Sequence, residues 1–192
     1  MLKFISFFRK RPDIGHAEFH DYWIDTHAEL VMRMPGLVRY VQNHPLPGTL
    51  TATSRFHGCA EVWLESAEAL VREPGSPFWE EVAVQEAMFI DPDSQIVLPV
   101  DEKVVKQANW PREGMKVLRT LRSMAGKVPP VFAMPTVARY ARNTVRGDAS
   151  AFCAGYDASW FASPAVANAA APHMRDPASL EIMIVREYVV KE

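Results

Sequence analysis

The sequence predicts an α+β protein made of two ferredoxin-like units in tandem, the second of them degenerate. Three observations lead to this prediction. Strand-like and helix-like stretches of the first half follow one another in the order β-α-β-β-α-β, which is the ferredoxin-like pattern. After a break in periodicity the same short landmarks return in the same order, as expected for an internal repeat. The second half is too short between its first two strands to hold the long helix of the first half.

The first unit is predicted over residues 1-108. Its long helix, from about Gly15 to Met32, has apolar residues at helical spacing and ends at Pro35-Gly36. Ser76-Pro77 has the residue types of an N-cap and a first helical position, and Asp91-Pro92 begins a turn before the last strand. Strands are predicted at 3–9, 37–43, 56–64 and 95–106, and helices at about 15–32, 66–72 and 77–86.

The second unit is predicted over residues 114-192, after a linker at 107–114. Val137–Asn143 repeats Leu37–Asn43 with Arg, Tyr and Asn in the same register. Residues 122–136 leave room for only about one helical turn, so any chemistry on the long helix exists in one copy. Three further pairs share their residue types: Cys59-Ala60 with Cys153-Ala154, Ser76-Pro77 with Ser163-Pro164, and Asp91-Pro92 with Asp176-Pro177.

Composition and charge narrow the class of protein. Hydrophobic residues make up 48% and charged residues 23% of the chain, the balance of an ordinary globular protein. The formal charge of −2 argues against a nucleic-acid surface or a polybasic membrane patch. Basic residues follow the N-terminal apolar run instead of preceding it, so we expect no signal peptide. Two cysteines outside any CxxC pair predict no disulfide framework, and a cytoplasmic location is the expectation.

Several segments of the first half together resemble a known family. Its most specific part combines Phe-x-x-Tyr-Trp-x-x-x-His-Ala, which begins at Phe19, with Pro-Gly-Leu-x-x-Tyr, which begins at Pro35. The matching segments are 3–11, 18–23, 27–28, 34–43, 89–91 and 100–105. Over about Lys3 to Lys106 the chain resembles the EthD family of ferredoxin-like, dimeric α+β barrel proteins. The second half is similar mainly at its strands and lacks the Tyr-Trp-x-x-x-His element.

The resemblance implies antiparallel sheets that pair into an α+β barrel, because each sheet has one helix-covered face and one apolar face that needs a partner. The second unit is one candidate for that partner, and a homodimer of the whole chain also remains open because sheet edges need protection. Family members act in degradation of small organic compounds and in polyketide-type dehydration or cyclisation. A small apolar or aromatic molecule is therefore the expected partner, with no nucleic acid and no membrane.

His27 is the first candidate catalytic residue. It lies on the apolar stripe of the long helix, so we expect its side chain to face the sheet. A histidine titrates near neutrality and can act as general acid or base; the alternative is a structural histidine bonded to a backbone carbonyl. Tyr40 is the second candidate, because a buried phenol needs a partner and could pair with His27. Its counterpart Tyr140 argues for a structural role instead.

The substrate-binding candidates are mostly aromatic. Aromatic residues at these spacings also occur as ordinary core, and Asn43 could simply end its strand through side-chain to backbone hydrogen bonds. The candidates are Tyr22, Trp23, Asn43, Trp63 and Phe78.

We expect no cofactor and no metal. His16 and His20 have a metal-ligand spacing, but no acidic cluster accompanies them, and His20 and His27 are about 10 Å apart along a helix. The chain contains neither a nucleotide-binding glycine motif nor the G-x-S-x-G of hydrolases. His44 and His57 flank a Pro/Gly loop, and either is a candidate second base. A haem with His27 as axial ligand is a further alternative.

Three hypotheses of function follow. The first is a cofactor-independent lyase, isomerase or cyclase of a small aromatic or polyketide-like compound, with His27 moving the proton and Tyr40 stabilising an oxyanion. The second is a cofactor-independent monooxygenase of the same barrel class. The third is a non-catalytic ligand-binding or stress-related protein.

Overall fold

The computed structural model describes residues 1–51, 54–70, 74–108, 115–124, 136–147 and 152–191. Most of the predicted linker and the stretch in which the long helix is predicted to be lost lie outside these residues. The chain divides into two compact units. Unit 1 comprises Met1–His44, Arg55–Val97 and Val189–Glu192, and unit 2 comprises Pro45–Ser54 and Leu98–Tyr188. The predicted domain boundaries, at 108 and 114, stay a prediction.

Unit 1 is a three-stranded antiparallel sheet with helices against one face. Its strands are β1 (Leu2–Phe8), β2 (Leu37–Pro45) and β3 (Gly58–Leu64). β3 lies between the other two and pairs antiparallel with both. Helix α3 (Pro77–Phe89) begins with proline at its first turn, as predicted, although the Ser76 side chain makes no capping hydrogen bond. The helix predicted at 66–72 is a 3-10 turn over Glu68–Leu70, and residues 71–73 are not described.

The long helix of unit 1 is helical over 16–31 but changes its hydrogen-bond pattern in the middle. It consists of α1 (His16–Asp21), a π-helical segment (Tyr22–His27) and α2 (Ala28–Val31). Four buried residues recur at steps of four: Phe19, Trp23, His27 and Val31. In a regular α-helix each such step turns the side chain by about 40°, because a turn holds 3.6 residues. The wider π-helical turn offsets this drift, so all four residues face the sheet.

Unit 2 is an antiparallel sheet in the order β8-β5-β7-β6-β4. Helix α4 begins at Pro164, and Ser163 accepts a hydrogen bond from the Val166 amide, so the predicted cap is confirmed here. The elements are β4 (Ile96–Gln107), β5 (Met115–Leu121), β6 (Val137–Val145), β7 (Gly155–Phe161), α4 (Pro164–Ala170), a 3-10 turn (Ala171–Met174) and β8 (Ser179–Lys191). The α+β class with antiparallel strands is thereby confirmed, whereas the pairing of sheets into a barrel stays a prediction.

The strands of the two units are paired in the same register. Trp63 lies opposite Lys3 on one side and Arg39 on the other, and Trp160 lies opposite Lys116 and Arg139 in the same way. Both Arg-containing strands carry their irregularity at the same place, between 37 and 39 and between 137 and 139.

The register corrects one sequence comparison. Cys59 lies within β3, and the residue at the same position of unit 2 is Tyr156, because Trp63 corresponds to Trp160. Cys153 precedes β7 and has no such equivalence. Shared residue identity had suggested the match, but strand pairing decides which side chains occupy equivalent places. Both cysteines are nevertheless buried, as expected of small hydrophobic residues.

Alternation along β1 decides which side chains reach the helices. Phe4, Ser6 and Phe8 lie on the helix-covered face of the sheet, and Lys3 lies on the other face. Among the described residues, no helix combines the length and the hydrophobicity that crossing a bilayer requires.

Candidate active site

Unit 1 has an apolar cavity between the sheet and its helices. Its volume is about 90 Å³. Strands β1, β2 and β3 form its floor, and the long helix and α3 cover it. Most of the lining is hydrophobic, as is usual for sites that bind small molecules. The polar lining residues are Ser6, His27, Tyr40, Glu86 and Gln95.

His27 enters the cavity from the end of the π-helical segment. Its side chain is 5% exposed, and its ring lies 4.9 Å from that of Phe89. Nδ1 lies 3.2 Å from the side-chain oxygen of Gln85. Because a carbonyl oxygen only accepts, Nδ1 carries the hydrogen and donates it. In the neutral imidazole Nε2 is then the unprotonated nitrogen, which is the form a general base needs.

Tyr40 presents its hydroxyl to the same cavity from β2. The Trp23 indole donates to this oxygen at 3.1 Å, and the Gln42 amide donates to it at 2.9 Å. Burial raises the pKa of the phenol to about 12, partly offset by these two hydrogen bonds and reinforced by the Glu86 carboxylate. Tyr40 therefore stays protonated at neutral pH. With two donors already on its oxygen, its own hydrogen is the group left to donate.

Ser6 adds a hydroxyl to the floor of the cavity. Its Oγ is buried and has no hydrogen-bond partner among the described residues. Such a group costs free energy unless something pairs with it. Glu86, at the wall formed by α3, accepts a hydrogen bond from the Gln95 amide at 3.2 Å.

Three of the seven predicted site residues line the cavity. They are Trp23, His27 and Tyr40. The predicted hydrogen bond between His27 and Tyr40 is not the arrangement found, because Tyr40 is bonded to Trp23 and Gln42, while His27 is bonded to Gln85.

Trp63 and Asn43 lie on the opposite face of the sheet. Trp63 packs between the cations of Lys3 and Arg39, at 4.5 and 4.8 Å from its ring. Asn43 donates to Glu61 at 3.0 Å, and Glu61 forms a buried ion pair with Lys3.

Tyr22 and Phe78 lie outside the cavity lining. Tyr22 packs on Phe89, and Phe78 packs on Trp79, which does line the cavity. The two residues therefore support the wall instead of forming it.

Sequence reasoning missed Glu86, although a signal was present. Trp79, Val82, Glu86 and Phe89 recur at helical spacing along α3, and all four line the cavity. A carboxylate in the middle of an inward stripe is a candidate functional group. Ser6 and Gln95 carried no comparable signal, because one lies in a strand and the other follows a turn.

His44 and His57, the candidates for a second base, lie outside the cavity lining. His44 is buried and stacks on Trp23 at 4.1 Å. The ring of His57 lies 5.3 Å from that of His16, and its Nδ1 accepts a hydrogen bond from the Lys10 amide. In the part of the chain that the structure describes, no three His, Cys, Asp or Glu residues converge as metal ligands would.

An apolar cavity with a histidine and a phenol at its wall, carried on an antiparallel α+β unit, has features common among sites that bind small molecules. Residues 11–93 match the family described as EthD domain. The resemblance predicted from the sequence is confirmed. His27, Tyr40 and Glu86 all lie within the matched residues. No curated protein sequence matches the chain significantly.

Solved structures share the fold at low sequence identity. The structure of an anthrone oxidase-like protein superimposes with a TM-score of 0.66 at 10% identity, covering 100% of this chain and 94% of that one. A proposed monooxygenase from Lactobacillus acidophilus NCFM gives a TM-score of 0.50 at 9% identity, covering 99% and 94%. One from Fusobacterium nucleatum subsp. nucleatum gives 0.52 at 8% identity, covering 99% and 92%. These likenesses concern the fold alone.

Proposed function

We propose that this protein is a cofactor-independent enzyme that moves a proton on a small aromatic or polyketide-like molecule. The observation that carries the proposal is that a histidine with an unprotonated Nε2 and a neutral phenol line one buried apolar cavity.

His27 is the general base of this reaction. Its Nε2 takes the proton from a C–H next to a substrate carbonyl, and the electron pair of that bond moves onto the carbonyl oxygen. Tyr40 donates a hydrogen bond to the resulting enolate oxygen, which is worth most in a site that excludes water. Return of the proton at another carbon gives isomerisation, and expulsion of a leaving group from the β-carbon gives elimination. Attack of the enolate carbon on a second carbonyl of the same molecule, whose oxygen takes up the proton, gives cyclisation.

The cavity limits what can enter. An apolar cavity of about 150 Å³ holds benzene, and this one measures about 90 Å³. The cavity receives the reacting end of an aromatic ring, and side chains of its wall move to make room for the rest of the substrate. The buried hydroxyl of Ser6 favours a substrate with a second oxygen, because such an atom pairs with a group that has no hydrogen-bond partner in the described part of the chain.

A monooxygenase reaction is the second candidate. The names of the structurally similar proteins favour it, one being anthrone oxidase-like and two being proposed monooxygenases. The first step is the same proton transfer. The carbanion then reduces O2 directly: a C–O bond forms, the O–O bond breaks, and one water leaves for each O2 consumed as a CH2 group becomes a carbonyl.

The test measures the step that both candidates share. Purified protein is incubated in D2O with anthrone and with a panel of enolisable aryl ketones under nitrogen, and deuterium incorporation is followed by mass spectrometry. We expect His27→Ala to slow incorporation by about 10²- to 10⁴-fold with little change in melting temperature. His173→Ala is the matched control, because His173 is an exposed histidine in unit 2.

The outcomes separate the hypotheses. Oxygen uptake in the aerobic arm identifies the monooxygenase, and deuterium incorporation without uptake identifies the isomerase, lyase or cyclase. Ligand-dependent thermal stabilisation with neither signal identifies a binding protein. Undiminished incorporation by folded His27→Ala overturns the assignment of the base. If His27→Ala fails to fold, His27→Gln serves in its place.

We also infer that the two units are tandem copies of one ferredoxin-like unit. The paired registers around Trp63 and Trp160 support this inference, as does the strand order β8-β5-β7-β6 of unit 2. Because only unit 1 carries the described cavity with His27, we place one active site in each chain.

A further inference from the structure

A chain of hydrogen bonds leads from the cavity to a partly exposed histidine. Tyr40 accepts from Gln42, the Gln42 side-chain oxygen lies 2.8 Å from Nε2 of His44, and Nδ1 of His44 lies 2.6 Å from Nδ1 of His20. The reaction proposed above uses the first of these contacts but neither of the two histidines.

One backbone carbonyl fixes the orientation of the Gln42 side-chain amide, and with it the donors and acceptors along this series of hydrogen bonds. The Gln42 side-chain nitrogen lies 2.9 Å from the carbonyl oxygen of Trp23, which can only accept. The amide nitrogen of Gln42 must therefore face Trp23 and Tyr40, and its oxygen must face His44. The carbonyl of Trp23 lies in the π-helical segment and also accepts the Ala28 amide.

The tautomers follow from this orientation. The Gln42 oxygen only accepts, so Nε2 of His44 must carry a hydrogen. Burial, and next the nearby His20, lower the pKa of His44 to about 2, so its ring is neutral and its Nδ1 is an acceptor. The short contact between the two Nδ1 atoms then requires His20 to carry its hydrogen on Nδ1.

We propose that Gln42, His44 and His20 are positioning residues that hold the Tyr40 hydroxyl as a hydrogen-bond donor into the cavity, with His44 as the Nε2–H tautomer and His20 protonated on Nδ1. The Trp23 indole and the Gln42 amide occupy the acceptor positions of the phenol oxygen. The hydroxyl hydrogen is thereby directed to the substrate. The part of this inference that concerns turnover rests on the proposed function, whereas the tautomers do not.

The tautomers are measured without any substrate. Two-bond 1H–15N correlation spectra of the uniformly 15N-labelled protein at pH 7.5 distinguish the two neutral forms of each imidazole, and His20→Gln and His44→Phe assign the signals. We expect a neutral Nε2–H ring for His44 and a protonated Nδ1 for His20. A charged His44, or a neutral His44 with its hydrogen on Nδ1, overturns the proposal.

Turnover provides the second readout. Gln42→Glu has the same shape but cannot donate, so Tyr40 turns its hydrogen toward residue 42 and away from the substrate. We expect kcat to fall about 10²-fold, as when an oxyanion donor is lost, with KM nearly unchanged. Gln107→Glu, at the exposed end of β4, is the matched control for the added charge. An unchanged kcat in folded Gln42→Glu overturns the positioning role.

His44→Phe covers the case in which Gln42→Glu does not fold. Its ring keeps the stacking on Trp23 but removes the donor to Gln42, so we expect a smaller fall in kcat. An unchanged kcat in this variant also contradicts the inference. If His27→Ala retains full activity, the proposed function fails while the spectra still decide the tautomers.

Discussion

The two units carry different kinds of side chain at equivalent positions of their sheets. In unit 1 three neighbouring residues across the strands are Ser6, Ala60 and Gln42. The equivalent row of unit 2 is Arg119, Asp157 and Arg142. The first row borders a cavity, and the second is a buried arrangement of ions.

The ions of unit 2 are bonded to one another and to the chain. Arg119 donates to Asp157 at 2.5 Å and to Asp176 and the Met174 carbonyl at 2.8 Å each. Arg142 lies 3.3 Å from the other oxygen of Asp157. Burial and the Asp157 carboxylate raise the pKa of Tyr140, the counterpart of Tyr40.

This difference between the units indicates which of them carries the candidate functional site. On the helix-covered face of unit 2, Arg119 and Arg142 form ion pairs with Asp157, which serves stability. Unit 1 instead has an apolar cavity at this place, lined by the Ser6 hydroxyl, the Tyr40 phenol and the His27 imidazole. Equivalent strand positions therefore support a structural cluster in one unit and a candidate site in the other.

Removing the central carboxylate of unit 2 should have the largest effect. Asp157→Ala leaves Arg119 and Arg142 buried or half-buried without their shared partner, and we expect a loss of about 3–5 kcal/mol in the free energy of unfolding. Asp101→Ala is the matched control, because its ion pair with Arg146 is exposed and should contribute about 1 kcal/mol or less. Urea denaturation followed by circular dichroism measures both. Equal losses for the two variants would contradict the structural role of the cluster.

The glycines at equivalent positions of β3 and β7 test the packing of each sheet. A Cβ at Gly155 would lie 2.2 Å from the backbone oxygen of Asn143, whereas a Cβ at Gly58 would lie 2.8 Å from side-chain atoms of Phe8 and Trp23. Overpacking of this kind costs about 1–3 kcal/mol.

We expect Gly155→Ala to cost more than Gly58→Ala, because a carbonyl within the strand ladder cannot move as a side chain can. Gly58→Ala should also disturb the Trp23 to Tyr40 hydrogen bond and lower activity. Gly15→Ala, where nothing lies within 4 Å, is the control. Because Gly15 is the N-cap of α1, where glycine is preferred over alanine, the change should cost about 1 kcal/mol or less. The reverse order of the two strand variants would be inconsistent with this account.

Acid should destabilise unit 1 more than unit 2. Burial, and next the nearby His20, lower the pKa of His44 from the usual histidine value of 6.5 to about 2. Between these values the unfolded chain binds the proton and the folded protein does not, so stability falls as the pH drops below about 6.5. Each pH unit then costs about 1.4 kcal/mol. His57, whose pKa is lowered to about 4 mainly by burial, acts in the same direction.

Urea denaturation at pH 7.5, 6 and 5 measures how steeply stability depends on pH. We expect His44→Gln to flatten this dependence and His173→Gln, the matched change in unit 2, to leave it unchanged. Hydrogen exchange at pH 5 should show faster opening of amides in unit 1 than in unit 2. A slope that His44→Gln does not alter would show that another group carries the acid sensitivity.

The placement of the candidate site was only partly predictable. The stripe through Trp23 and His27 faced the sheet as its spacing indicated, because helical periodicity is a local property. The opposite orientation of Asn43 and Trp63 was not recognised, because the side of a sheet that receives the helices is set by packing over many residues. Glu86 lies between these two cases. Its spacing along α3 was visible in the sequence, but the sequence did not show that this face of the helix borders a cavity.

The sequence by itself determined the order of strands and helices, the EthD resemblance and the candidacy of His27, since each depends on short-range pattern. The tertiary structure alone decided that Tyr40 is bonded by Trp23 and Gln42, that the long helix contains a π-helical segment, and that Arg119 replaces Ser6. These facts depend on residues far apart in the chain meeting across a sheet. A hydrogen-bond network and an unfilled volume exist only once those residues are packed together.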